Sequence, residues 1–177
     1  MTAGTPVPAA AEPSSAGDVG SGHDWSRHNR IMVGVDGSPS ADRALAWAID
    51  EANRCGAELQ IVSVWEPPDL GPEAYEFAPP EKTMTAMAAE QARRHAAEAA
   101  RQAGRLLPAE RVRSIVVSGG TAEMLVEQSK EADLLVVGSR GRGGFRGLLL
   151  GSVSQQCVTH AHCPVVVVRR DHHPSGA

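Results

Sequence analysis

Five short apolar runs alternate with four stretches of helical periodicity along this chain, and that alternation limits the fold more than any other feature. The runs are Ile31–Val35, Glu58–Val64, Arg111–Val117, Asp133–Val137 and Pro164–Val168. Most are nearly continuous in Val, Ile and Leu, the pattern of strands buried on both faces. Between them, Pro39–Asn53 places Ala41, Leu45, Ala48, Ile49 and Ala52 on one helical face. Ser38 is its expected N-cap, Pro39 its first residue and Gly56 its stop. An alanine-rich helix is expected over Lys82–Ala103, closed by Gly104, with Glu90 and Arg94 as an i,i+4 pair. A third helix begins at Thr121 with Leu125, Val126 and Ala132 inward, and a fourth spans Val153–His160. Strands alternating with helices predict right-handed βαβ units. The expected fold is therefore α/β and Rossmann-like, an open five-stranded, mainly parallel sheet with helices on both faces.

The ends of the chain lie outside this pattern. Residues 1–30 are rich in Ala, Gly, Pro and Ser without periodicity and read as a disordered tail, as do residues 171–177. One domain is expected over 31–170. The proline-rich, acidic stretch from Trp65 to Glu81 is long for a connection in such a domain. A formal charge of −4 and a pI near 6.0 give no reason to expect nucleic acid as a partner. Three cysteines without paired spacing, no membrane-length apolar run and no secretory signal pattern point to a cytoplasmic protein with reduced thiols.

The chemistry concentrates in Gly138-Ser-Arg-Gly141, which continues to Gly151-Ser152 between the fourth strand and the fourth helix. A glycine-rich loop opening onto a helix N-terminus holds phosphate through backbone N–H groups and the helix dipole. In parallel sheets, ligands bind beyond the carboxyl ends of the strands where the connection direction switches. Asp36 after the first strand and the glycine loop after the fourth both meet that condition. Lys82 and Lys130 are the only lysines and neither lies in a glycine loop, which excludes a Walker A site. A protein-kinase set is absent too, and Gly34-Val-Asp36-Gly-Ser is a poor dinucleotide fingerprint.

The spacing Gly138-x2-Gly141-x9-Gly151-Ser152 resembles the ATP-binding motif of the universal stress protein family. Val33-Gly34-Val35-Asp36, Ile61–Val64 and Pro164–Val168 resemble that family's strand endings, so the resemblance runs from about Arg30 to Arg170. It implies the nucleotide-binding α-hydrolase type of sheet, an ATP ligand, and Mg²⁺ held mainly by the phosphates. It also implies roles for particular residues. Asp36 would meet the ribose, and Gly34 and Val64 would line the adenine pocket. Gly138, Gly141, Gly151 and Ser152 would hold the phosphates through backbone N–H groups and the Ser152 hydroxyl. A homodimer joined through the last strand is implied as well.

Plainer roles stand beside these. Asp36 has the chemistry to cap the first helix, Val64 is a core residue on any reading, and Ser152 is a good N-cap with or without phosphate. Arg140, Arg142 and Arg146 read as solvated, and Gly143, Gly144 and Gly147 as loop residues. His160, His162 and Cys163 lack a fourth metal ligand, the tail pair His172–His173 is weak evidence for a metal, and Cys157 reads as core. Two function classes remain: a nucleotide-dependent regulator of a stress or dormancy response, or a slow ATPase or phosphotransfer enzyme. The regulator is favoured because no base accompanies the loop. A structural dimer that has lost its ligand is a third reading, against which the intact glycine spacing argues.

Overall fold

The computed structural model describes residues 29–67, 81–141 and 149–169. Along them run β1 (Arg30–Gly34), α1 (Pro39–Cys55), β2 (Glu58–Trp65), α2 (Glu81–Ala103), β3 (Val112–Ser118), α3 (Thr121–Gln128), β4 (Leu134–Gly138), α4 (Ser152–His160) and β5 (Val165–Val168). The strands form one sheet in the order β3-β2-β1-β4-β5 with every pairing parallel. The direction of connection reverses between β1 and β4, so the crevice of this fold lies at their carboxyl ends. The tails at 1–28 and 171–177, most of the 65–81 excursion, and the residues from Arg142 to Gly147, including Arg146, lie outside the described residues. Among the described residues no helix is long and apolar enough to cross a membrane.

Alternation along the strands separates two apolar layers. Ile31, Val33, Leu59, Ile61, Leu134 and Val136 face α1 and α2. Met32, Val62, Leu135 and Val137 face Leu125 of α3 and Cys157 of α4. Burial pushes the thiols of Cys157 and Cys163 up to about 11, which keeps both as neutral packing groups at ordinary pH. The stripe that α2 turns inward is alanine at 89, 92, 96, 99 and 103, all buried, so this helix sits close over β2 and β3.

Local signals hold where they are strictly local. The Ser38 hydroxyl accepts the Ala41 N–H at 3.2 Å, and Gly56 ends α1 in the left-handed region at φ 77°. Arg94 Nε donates to Glu90 at 3.1 Å. Val126 is only partly buried, and Ala132 comes after α3 has passed into a 3₁₀ turn at Ser129–Glu131.

One expected strand residue has another task. Arg111 lies in a 3₁₀ turn before β3, and its guanidinium donates to the Ala57 carbonyl at 2.7 and 3.0 Å and to the Ala52 carbonyl. It thereby ties the end of α1 to the residue before β2, adding to the Gly56 and Ala57 N–H groups that already reach the Ala52 carbonyl. Arg111→Ala is expected to lower stability by about 1–3 kcal/mol in urea unfolding, with no change in quaternary state.

Candidate functional site

A cavity of about 610 Å³ opens at the carboxyl ends of the strands, with Gly34, Asp36, Val64, Gly138, Gly141, Gly151 and Ser152 all among its lining residues. All seven residues singled out from the sequence therefore surround one space. Its size falls in the usual range for small-molecule sites. The structure also distinguishes what each of them does locally.

On the β1 side, Asp36 Oδ1 accepts the Ser38 N–H at 2.9 Å. The carboxylate thus shapes the turn that delivers Ser38 to the helix, while Ser38 itself is the cap. Gly37 between them stands at φ 74°, a conformation side chains rarely adopt. The second carboxylate oxygen leans toward the glycine loop, since a Cβ on Gly141 would stand 3.0 Å from Asp36 Oδ2. Gly34 faces the other layer, where a Cβ would come within 3.2 Å of Leu125.

On the β4 side, the three glycines differ. A Cβ on Gly138 would lie 2.6 Å from Ser40 Oγ and 2.7 Å from the Ser40 carbonyl carbon. Only glycine permits the first turn of α1 to come this close to the end of β4. The Arg140 N–H donates to Ser40 Oγ at 3.3 Å across the same seam. Gly151 is used differently: its N–H donates to the Ser139 carbonyl at 2.8 Å, closing the base of the loop. Ser154, which the sequence reading passed over, adds its hydroxyl to the same carbonyl at 3.1 Å.

The expected cap of α4 is corrected by one residue. Gly151 is the N-cap, without a side-chain hydrogen bond, and Ser152 is the first helical residue. The first helical bond runs from the Gln155 N–H to the Gly151 carbonyl at 3.0 Å, so the N–H groups of Ser152, Val153 and Ser154 precede the intrahelical ladder. Ser152 is exposed.

Two walls were not foreseen. Ala88, Gln91, Ala92 and His95 of α2 line the cavity, at the i, i+3, i+4, i+7 spacing of one helical face. At the end of β2, Glu66 Oε1 accepts the backbone N–H and the hydroxyl of Thr121 at 2.7 and 2.8 Å. Glu66 thus supplies the cap that Gly120, at the N-cap of α3, has no side chain to give. The periodicity of α2 was a legible signal for the first wall; nothing local announces the second.

The contrast between the glycines is testable. Gly138→Ala is expected to cost about 1–3 kcal/mol in chemical denaturation, as a forced displacement of the α1 backbone. Gly151→Ala, whose Cβ would meet nothing nearer than 3.4 Å, is expected to leave stability within about 1 kcal/mol.

Comparison with known proteins bears on this arrangement. A universal stress protein of Mycolicibacterium smegmatis is 38% identical over 154 residues, which is 84% of this chain and 49% of the relative. One from Mycobacterium tuberculosis is 38% identical over 146 residues, covering 81% and 46% of the two chains. The chain spans about half the length of these curated relatives. Universal stress protein UspA from Lactobacillus plantarum has the same fold, with a TM-score of 0.70 at 23% identity over 81% of this chain and 99% of its own. A universal stress protein solved in complex with cAMP is 28% identical, with a TM-score of 0.60 over 80% of this chain and 97% of its own. The sequence model of the universal stress protein family matches residues 28–169, and the chain belongs to that family.

Proposed function

We propose that this chain binds an adenine nucleotide, ATP with Mg²⁺ on its phosphates, and acts as a nucleotide-dependent regulator in a stress or dormancy response. The observation that carries this reading is the one cavity whose walls differ in chemistry in the order a nucleotide requires. Gly34 and Val64 offer an apolar slot for the base. Asp36 offers a carboxylate acceptor for ribose hydroxyls. Gly141 and the first turn of α4 at Ser152 offer backbone N–H groups and a helix dipole to the phosphates. In this reading Gly138 and Gly151 shape the cradle: one admits α1 and the other closes the loop base. The relative solved with cAMP supports an adenosine ligand. Mg²⁺ keeps most of its waters and needs few protein ligands, which suits a cradle without a cluster of carboxylates.

Holding the nucleotide is favoured over cleaving it. Among the described residues, the lining beside the phosphate cradle, from Val137 to Gly141 and from Leu150 to Ser154, holds no carboxylate or imidazole. A general base has to stand within reach of the water that attacks the terminal phosphate.

Mass spectrometry of the nucleotide released on denaturing freshly purified protein is expected to find ATP, and calorimetry to give saturable ATP binding. Asp36→Asn keeps an acceptor for the Ser38 N–H and removes the charged acceptor, so it is expected to weaken ATP about tenfold or more with the fold intact. Unchanged affinity in that variant would remove Asp36 from the site.

The assembly proposed is a homodimer through β5. This strand closes one edge of the sheet, and its four valines are each only partly buried. Apolar edges of this kind pair unless something covers them. Light scattering after size exclusion is expected to give twice the chain mass, and Val166→Lys to return the monomer.

A further inference from the structure

The imidazole of His95 is out of place where it lies. On α2 it stands among the alanines that seat the helix on the sheet, with Ala92 one turn before it and Ala96 and Ala99 after it, all buried. Its ring presses on the backbone of Gly37: a Cβ there would fall 2.2 Å from the ring Cε1 and 2.4 Å from Nδ1. Gly37 adjoins Asp36, so the turn that carries the carboxylate also carries the ring. The Nε2 atom is shielded from solvent and has no hydrogen-bond partner among the described residues. A buried polar atom without a partner costs free energy and calls for an explanation, and His95 Nε2 is the one such atom among the described residues whose residue lines the cavity. His95 lines the main cavity while the residue as a whole remains only partly buried.

We propose that His95 is a second ribose-recognising group, with Nε2 paired to one sugar hydroxyl while Asp36 takes the other. The inference rests on the nucleotide reading and adds to it the part of the ligand that α2 senses. A hydroxyl both donates and accepts, so it satisfies Nε2 in either imidazole tautomer. The surroundings select a neutral partner over a phosphate. Asp36 lines the main cavity with His95, and Asp42 and Glu98 line a small second cavity on which His95 also borders. Asp42 and Glu98, which border the second cavity with His95, disfavour an anion at this corner, whereas the loop and helix terminus after β4 attract one. Binding turns the ring from its shielded seat on Gly37 toward the sugar, which removes the unpaired nitrogen and draws α2 onto the ligand.

The test is calorimetry on the full chain with ATP, 2′-deoxy-ATP and 3′-deoxy-ATP, for the wild type, His95→Gln and His95→Leu. The wild type is expected to prefer ATP about tenfold over at least one deoxy analogue. His95→Leu is expected to lose that preference by weakening ATP alone, and His95→Gln, which keeps a polar nitrogen on a similar reach, to retain most of it. If His95→Leu keeps the preference, or weakens all three ligands equally, His95 is a packing residue and the inference falls while the nucleotide site stands. A wild type that binds none of the three overturns the nucleotide reading and this inference together.

Discussion

The carboxyl end of the sheet depends on how near the first turn of α1 can come to the end of β4. At Gly138 the answer is set by a missing carbon, because any Cβ would overlap the Ser40 backbone. That approach brings Ser40 Oγ within reach of the Arg140 N–H, and it brings Asp36 toward Gly141. Close packing makes the relation rigid, since interiors of normal density have no slack to absorb an extra methyl group. The crevice between β1 and β4 is therefore narrow for a steric reason that precedes any ligand. Glycine at 138 serves the site by holding two elements together, and glycine at 141 by standing clear of a carboxylate.

Two ends of the sheet carry different loads. At the amino ends, Asp133 accepts the N–H groups of Asn29 and Arg30, both at 2.9 Å, and Arg111 gathers the carbonyls of Ala52 and Ala57. These charge-assisted bonds tie strand entries to one another and to the end of α1. At the carboxyl ends the polar groups are spent on loop shape: Asp36 on the turn before α1, Glu66 on α3, and Ser139 on the base of the glycine loop. The amino ends thus carry ties between strands, and the carboxyl ends carry the bonds that shape the loops around the cavity.

Much of this was legible in the sequence because its causes are local or repetitive. Burial on both faces leaves a run of branched aliphatics, and so all five strands were found to within a residue or two at each end. The turn at Ser38-Pro39 and the stop at Gly56 follow from single-residue backbone chemistry. Where causes are long-range, the sequence was silent. Glu66 caps a helix 55 positions away, and Arg111 caps one 54 to 59 positions away, and neither has a marker beside it. The α2 wall was missed because its small residues read as a shallow packing face, although the same periodicity carries Gln91 and His95 to the cavity. Propensity ranks Ser152 above Gly151 as the cap of α4, yet Gly151 holds that place. The Ser139 carbonyl fixes the N–H of Gly151, which stands in extended conformation just before the helix.

That bond between Gly151 and Ser139 has a consequence for how the chain can change over time. It fastens the two feet of the loop to each other, with Ser154 as a second fastening on the same carbonyl. Lengthening a loop whose ends are already joined costs only about 0.6 kcal/mol for each doubling. Insertions or replacements between the feet are thereby insulated from the rim on which they stand. The residues between the feet can change while Ser139 and Gly151 keep their places. A lineage of such chains has room to vary that connection without moving the rim of the cavity.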